Sequence, residues 1–410
     1  MTFAEHLPGL QVEAVLDPNA PGHLGLCIKH SKTTQIRPFF VHNAVTYLPG
    51  LIPAGLGQLV RFPGIPSDSG STEKLQSEMK NFFSKHLDQE TQTINVLVAF
   101  AFASWFVECF EVAPILWLHG PDAEVCIVLR LLNIMCYHPV LVGDLDVAAL
   151  RTLPAGLRVT LLIKEPDLAP GVERALLNSV RHHFYFAKGS QPIDMFGARA
   201  LHCNSASHDS GLNCSVDPAR HHLRCLSESD EDEASRFFQA RLLAYRMSHY
   251  ADAQTFELDS SESYLGLEQE LKAWVSALPR GSDVKNSVIG AFAERRADSL
   301  SDRFEDPTCL VAEAALMFCH KEGSKHFYVR ELAERVNDLL MGRHANVEFE
   351  DRKIGSVLKS LGIHANRVTR GYRVNLTPEV RQRIHAVATA YRVLSAQPSL
   401  VRCADCRRQP

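Results

Sequence analysis

Three short apolar runs constrain this chain more than anything else in it: Ile115–Leu118, Pro139–Val142 and Val159–Ile163. None alternates with polar residues, as a strand wet on one face would. Continuous apolar strands separated by helical segments imply a parallel sheet covered on both faces. A fourth strand is expected at Ala198–Cys203. The intervening Glu124–Cys136 reads as a helix, with Val125, Val128, Leu129 and Leu132 on one side.

At 410 residues the chain exceeds what one hydrophobic core usually serves. It divides on composition into a small β-rich module over 1–66, where Leu10–Val15, Leu24–Ile28 and Gln58–Phe62 are separated by Pro and Gly turns. A linker and helical connector follow over 67–112, then the α/β domain over 113–226 and a helical lid over 227–305. A C-terminal module occupies 306–395 and a basic, disordered tail 396–410. Ser227–Glu233 places acids ahead of the Phe237–Met247 helical run, where they favour a helix N-terminus.

A hydrophobic content of 46% is ordinary for a globular protein, and a net charge of −4 gives no overall attraction to nucleic acid or anionic lipid. Eleven scattered cysteines, many in apolar runs, suit reduced thiols rather than a disulfide framework. No basic leader precedes an apolar run at Met1, and the Ile94–Phe106 stretch is too short to span a bilayer. The expectation is a soluble, cytoplasmic protein with no membrane partner.

Gly120, after the first strand, invites comparison with the phosphate loop G-x-x-x-x-G-K-[ST]. There the second glycine lets backbone N–H groups approach phosphates, the lysine reaches the terminal ones and the hydroxyl holds Mg²⁺. Counted from Gly120, those positions hold Val125, Cys126 and Ile127. The strand–turn–helix frame stands without its chemistry. The third strand ends in Lys164-Glu165, where such an enzyme carries an Asp for the metal and a Glu for the attacking water.

This layout resembles the ATPase core and C-terminal winged helix of helicase- or primase-associated proteins of phages and mobile elements, over about residues 90–390. The resemblance implies an α/β parallel-sheet, P-loop-like (AAA+/RecA-like) domain with an N-terminal β module, a helical lid and a winged helix. It implies a vestigial nucleotide site at Gly120, Lys164 and Glu165. With lysine, hydroxyl and metal carboxylate all replaced, no catalytic residue is assigned and hydrolysis is not expected. No cofactor or metal is assigned either, beyond weak ATP binding in which Lys164 supplies the charge of Mg²⁺. An unrelated α/β domain, or an ATPase using unrecognised or partner-supplied residues, stays open.

The C-terminal module carries the second signal. Val311–Cys319, Phe327–Val329, Arg330–Leu340 and a third helix from Asp351 to Leu361 precede a basic hairpin over Arg367–Val374, in winged-helix order. In the third helix Ile354, Val357, Leu358 and Leu361 form the core face, leaving Arg352, Lys353, Ser356 and Lys359 outward. From Arg352 to Arg392 nine cations stand against the single acid Glu379. Recognition helix and wing are therefore basic together, which predicts DNA contacts from Arg352, Lys353, Ser356, Lys359, Arg367, Arg370 and Arg373. A solvated face, or a winged helix that only packs against the ATPase-like domain, a protein partner or a second copy, is the alternative.

Two metal-type clusters look weak. His202, Cys203, His208, Cys214, His221, His222 and Cys225 lack zinc-knuckle spacing apart from His222-x₂-Cys225. Cys403-x₂-Cys406 has no second pair near it in sequence and reads as tail. Asp144 and Asp146, at a strand exit, suit either a ligand edge or a helix cap.

Overall fold

A computed structural model describes the chain except for residues 8, 21, 31–32, 58, 69, 151, 155, 189–190, 205–209, 220–225, 259–266, 344–347, 392, 394–399, 401–402, 404–405 and 407–410. It divides into two compact units, Met1–Ala293 and Glu294–Pro410.

The first unit opens with an antiparallel meander of β1 (Ala4–Leu7), β2 (Leu10–Leu16), β3 (Leu24–His30) and β4 (Thr33–Arg37). Alternation sorts its faces. Leu10, Val12, Leu26 and Ile28 form a small cluster, closed by Phe40 and Tyr47 of the hairpin β5 (Phe40–His42) and β6 (Val45–Tyr47). Val15 and Cys27 point the other way into the main core. The N-terminal strands thus share a core with the rest of the unit. Leu59–Phe62 is not a strand: helix α1 (Ala54–Gly57) precedes it, and Val60 and Phe62 are buried from an irregular backbone.

Helix α2 (Thr72–His86) starts at Ser71, whose side chain accepts from the Lys74 amide, and buries Leu75, Met79 and Phe83. In α3 (Thr91–Ser104) every residue from Ile94 onward is buried, so this helix is apolar all round and runs through the interior. Between them lies the break at 87–90, and a short 3₁₀ turn at Val107–Cys109 follows.

The parallel sheet is present. Strand β7 (Ile115–His119) leads to α4 (Asp122–Met135), then β8 (Pro139–Val142), α5 (Val147–Leu150), β9 (Thr160–Ile163) and α6 (Pro170–Ser179). A hairpin of β10 (Tyr185–Lys188) and β11 (Gln191–Asp194) precedes β12 (Arg199–His202) and β13 (Leu212–Ser215). The order is β13-β7-β12-β9-β8, all parallel. Strand β13 falls where the sequence reads as irregular. As an edge strand it alternates buried Leu212 and Cys214 with exposed Asn213 and Ser215, so it lacks the continuous apolar run of its neighbours. Asp146 accepts from the Ala149 amide, so it caps α5.

The helices expected as a lid belong to the core. Helix α7 (Glu228–Gln254) starts at Ser227, so the acids lie inside its first turns, and it packs on α4. Helix α8 (Glu268–Val275) buries Leu271, Trp274 and Val275. Helix α9 (Asp283–Glu305) crosses the division between the units.

The second unit has its own core. Helix α10 (Pro307–His320), capped by Asp306, is followed by β14 (His326–Tyr328), α11 (Val329–Gly342), α12 (Asp351–Ser360), β15 (Asn366–Val368), β16 (Gly371–Asn375) and α13 (Pro378–Ala390). The strands form one antiparallel sheet, β14-β16-β15. Ile354 and Leu358 face inward as expected, and Glu350 is the N-cap of α12, without a side-chain cap bond.

Candidate functional site

Open parallel sheets place ligands outside the carboxyl ends of their strands, where the order reverses. Here β7 connects to β8 at one edge, while β12 connects across it to β13 at the other. The residues leaving β7, β9 and β12 therefore meet at the switch point, and they include both Gly120 and Lys164.

Gly120 has a packing reason to be glycine. A Cβ there would lie 2.2 Å from the backbone oxygen of Val216, whose amide in turn donates to His119 O at 2.7 Å. Val125 is buried on the inner face of α4, while Cys126 and Ile127 are half-buried. The first turn of α4 carries Asp122 and Glu124. Lys164 Nζ lies 2.8 Å from Asp122 Oδ2, and His202 Nε2 lies 3.3 Å from Gly120 O.

The hydrogen bond from Lys164 holds the Asp122 carboxyl below its ordinary range, and the same bond raises the ammonium. The helix N-terminus that would attract a phosphate thus has its own carboxylate, neutralised by the lysine that would stand in for Mg²⁺. Glu165 is half-buried beyond it. His202 ends β12, Cys203 follows it and Cys214 lies on β13; His208, His221, His222 and Cys225 lie outside the described residues.

The basic set of the second unit is arranged otherwise. Arg352, Lys353, Ser356 and Lys359 are exposed on α12, as are Arg367 and Arg370 on the β15–β16 hairpin. Arg373 is half-buried in the middle of β16, with Nε shut away from solvent. Lys353 packs over the Phe349 ring, Nζ 4.1 Å from its centroid. Among the described residues, none of these cations lies within ion-pair distance of a carboxylate. Arg381 and Arg383, two of the nine cations in the basic stretch, act within the fold instead. Arg381 donates to Cys319 O at 2.5 Å and to Ser324 O, and Arg383 to Leu361 O at 2.9 Å.

A third group corrects the reading of the C-terminal segment. Most of 396–410 lies outside the described residues, but Leu400 and Cys406 are buried against the second core. Cys403 and Cys406 meet His320 and His385 there, with all four ligand atoms within 4.8 Å of one another. The sequence hid this because the two histidines are 65 residues apart. The only local signal was the C-x₂-C itself.

No protein family matches the chain, and neither does any curated protein. Among solved structures it is similar to the apo A form of the NrS-1 C-terminal region, at 10% identity and TM-score 0.36, over 89% of this chain and 96% of that one. A second structure of that region gives 9% identity and TM-score 0.34, over 90% and 96%. Likeness at that level carries no functional argument. Among the described residues no helix is long and apolar enough to cross a membrane.

Proposed function

We propose that the second unit binds nucleic acid, duplex DNA in particular, through α12 and the β15–β16 hairpin. The chain works without catalysis, as an accessory to replication machinery of the mobile-element type its sequence resembles. One observation carries the reading: six exposed side chains, Arg352, Lys353, Ser356, Lys359, Arg367 and Arg370, occupy one helix and one hairpin, and none of the cations has a carboxylate partner among the described residues. Unpaired surface cations in such a set are what phosphate neutralisation requires. The element order supports a winged helix, with α12 as the recognition helix and the hairpin as wing. Ser356 would add a neutral donor on the same helix.

In the first unit, Asp122 and Glu124 at the N-terminus of α4 argue against phosphoryl chemistry at the switch point.

The test is fluorescence anisotropy of labelled duplex and single-stranded DNA with the full chain over a salt series. Binding should weaken steeply with salt. Changing Arg352, Lys359, Arg367 and Arg370 together to Gln should flatten the slope by up to ~0.9 for each phosphate no longer neutralised. Equal binding by wild type and variant, or none at low salt, would turn the basic face into a protein-docking surface. DNA-stimulated ATP turnover would overturn the non-catalytic reading.

A further inference from the structure

We propose that His320, His385, Cys403 and Cys406 form a structural metal site, with Zn²⁺ the cation their donor set fits best. The four atoms close a ring. His320 Nε2 lies 3.3 Å from His385 Nε2, which lies 3.1 Å from Cys403 Sγ. Cys403 Sγ is 3.4 Å from Cys406 Sγ, and Cys406 Sγ 3.2 Å from His320 Nε2.

Tetrahedral zinc with its usual bond lengths gives edges of about 3.3 Å between nitrogens, about 3.6 Å between nitrogen and sulfur and about 3.8 Å between sulfurs. The nitrogen edge agrees and the other three ring edges are a few tenths shorter, while the two cross-ring pairs lie within 4.8 Å, so a cation at the centre draws the cross-ring pairs to tetrahedral edges as it opens the ring. The sulfur separation is far beyond the ~2.05 Å of a disulfide bond. Two soft thiolates with two imidazoles select zinc over magnesium or calcium, which take oxygen ligands.

The surroundings fit this reading. His385 Nδ1 is 2.7 Å from Arg381 O, one turn back on α13, so a proton on Nδ1 donates to that carbonyl and leaves the Nε2 lone pair for the ring's centre. The Arg381 guanidinium bonds Cys319 O and Ser324 O, fixing the C-terminal end of α10, and so His320, against α13. His385 and Cys406 are buried, and Leu400 packs into the same core. Four protein ligands leave no open position, so the site holds structure and does not bind substrate. On binding, both thiols lose their protons to solvent and the histidines remain neutral. The ion ties Cys403 and Cys406 to α10 and α13 across residues far apart in sequence.

The full chain, purified under reducing conditions without chelator, should carry about one equivalent of zinc by elemental analysis. Replacing zinc by Co²⁺ should give the visible absorption of a tetrahedral ion and a thiolate charge-transfer band. Cys403→Ser with Cys406→Ser should abolish both, while Cys126→Ser keeps them. If the double variant fails to fold, wild type still decides. Zinc should protect Cys403 and Cys406 from alkylation, mapped by mass spectrometry, and a chelator should expose them. The proposal is overturned by the absence of stoichiometric metal after reconstitution, by equal metal in the double variant, or by a Cys403–Cys406 disulfide that takes up none after reduction.

Discussion

Arg246 and Arg352 are both helix arginines, yet their surroundings are opposite. Arg246, on α7, is fully buried. Its Nε lies 2.6 Å from Glu13 Oε1 on β2, its terminal nitrogens reach Glu108 at 3.1 and 3.2 Å, and it bonds the Trp105 carbonyl. Tyr137 adds a bond to Glu13 Oε2 at 2.9 Å. Arg246 bridges two carboxylates in that network, which stitches the N-terminal meander to the α/β core. Arg352, on α12, has no carboxylate partner among the described residues and faces water. One arginine costs desolvation and is compensated by neighbours; the other keeps its hydration and its charge for a partner. Their net charge alone would not tell them apart.

The contrast predicts opposite phenotypes, and the largest effect belongs to the buried side. Arg246→Ala should lower stability by about 3–5 kcal/mol, because Glu13 is left buried without its cation. All three tryptophans, Trp105, Trp117 and Trp274, lie in the first unit, so their fluorescence during urea unfolding reports that unit alone. A loss well under 1 kcal/mol would mean that water or Tyr137 already stabilises Glu13, and that the network is not what joins meander to core.

Acid should reach the same region next. Burial alone would raise the Glu13 carboxyl, but Arg246 and His6 outweigh it and leave it at about 2, against 4.5 for an ordinary glutamate. Burial lowers His138 from 6.5 to about 4. Both folded values are depressed, so both contributions are full above the unfolded values and vanish as pH falls. His138 should act first, between pH 6.5 and 4, and Glu13 between 4.5 and 2, each by roughly 3 kcal/mol. His138→Asn suits the position, whose φ is +41°, and should flatten only the upper window of a stability–pH curve. An unchanged slope there would assign that titration to another group.

What could be read in the chain follows the same divide. The strands β7, β8, β9 and β12 were legible because burial on both faces writes a continuous apolar run. Helix α12 was legible because Ile354 and Leu358 must face inward, which sends Arg352 and Lys359 out. Strand β13 was not, since an edge strand needs only alternate burial. Asp122 as the partner of Lys164 was not either, because their pairing depends on which strands adjoin. The His/Cys group needed residues from α10, α13 and the C-terminal segment to converge, which no local pattern encodes.

On the exposed side, changing Arg352, Lys359, Arg367 and Arg370 to Gln should leave the unfolding midpoint unmoved while removing salt-sensitive DNA binding. A fall in stability would show that these cations are structural after all, and would erase the difference from Arg246.

The smallest effect is expected at Lys164, which sharpens the comparison because solvent reaches it and yet it is already paired. Its ammonium lies 2.8 Å from Asp122, solvent reaches both side chains, and exposed pairs of this kind contribute little to stability. Lys164→Ala should therefore leave the melting temperature unchanged, and adding ATP should shift neither protein. Were ATP to raise the melting temperature of wild type but not of the variant, Lys164 would be exchanging Asp122 for phosphate. The switch point of the sheet would then hold a working anion site rather than a closed pair.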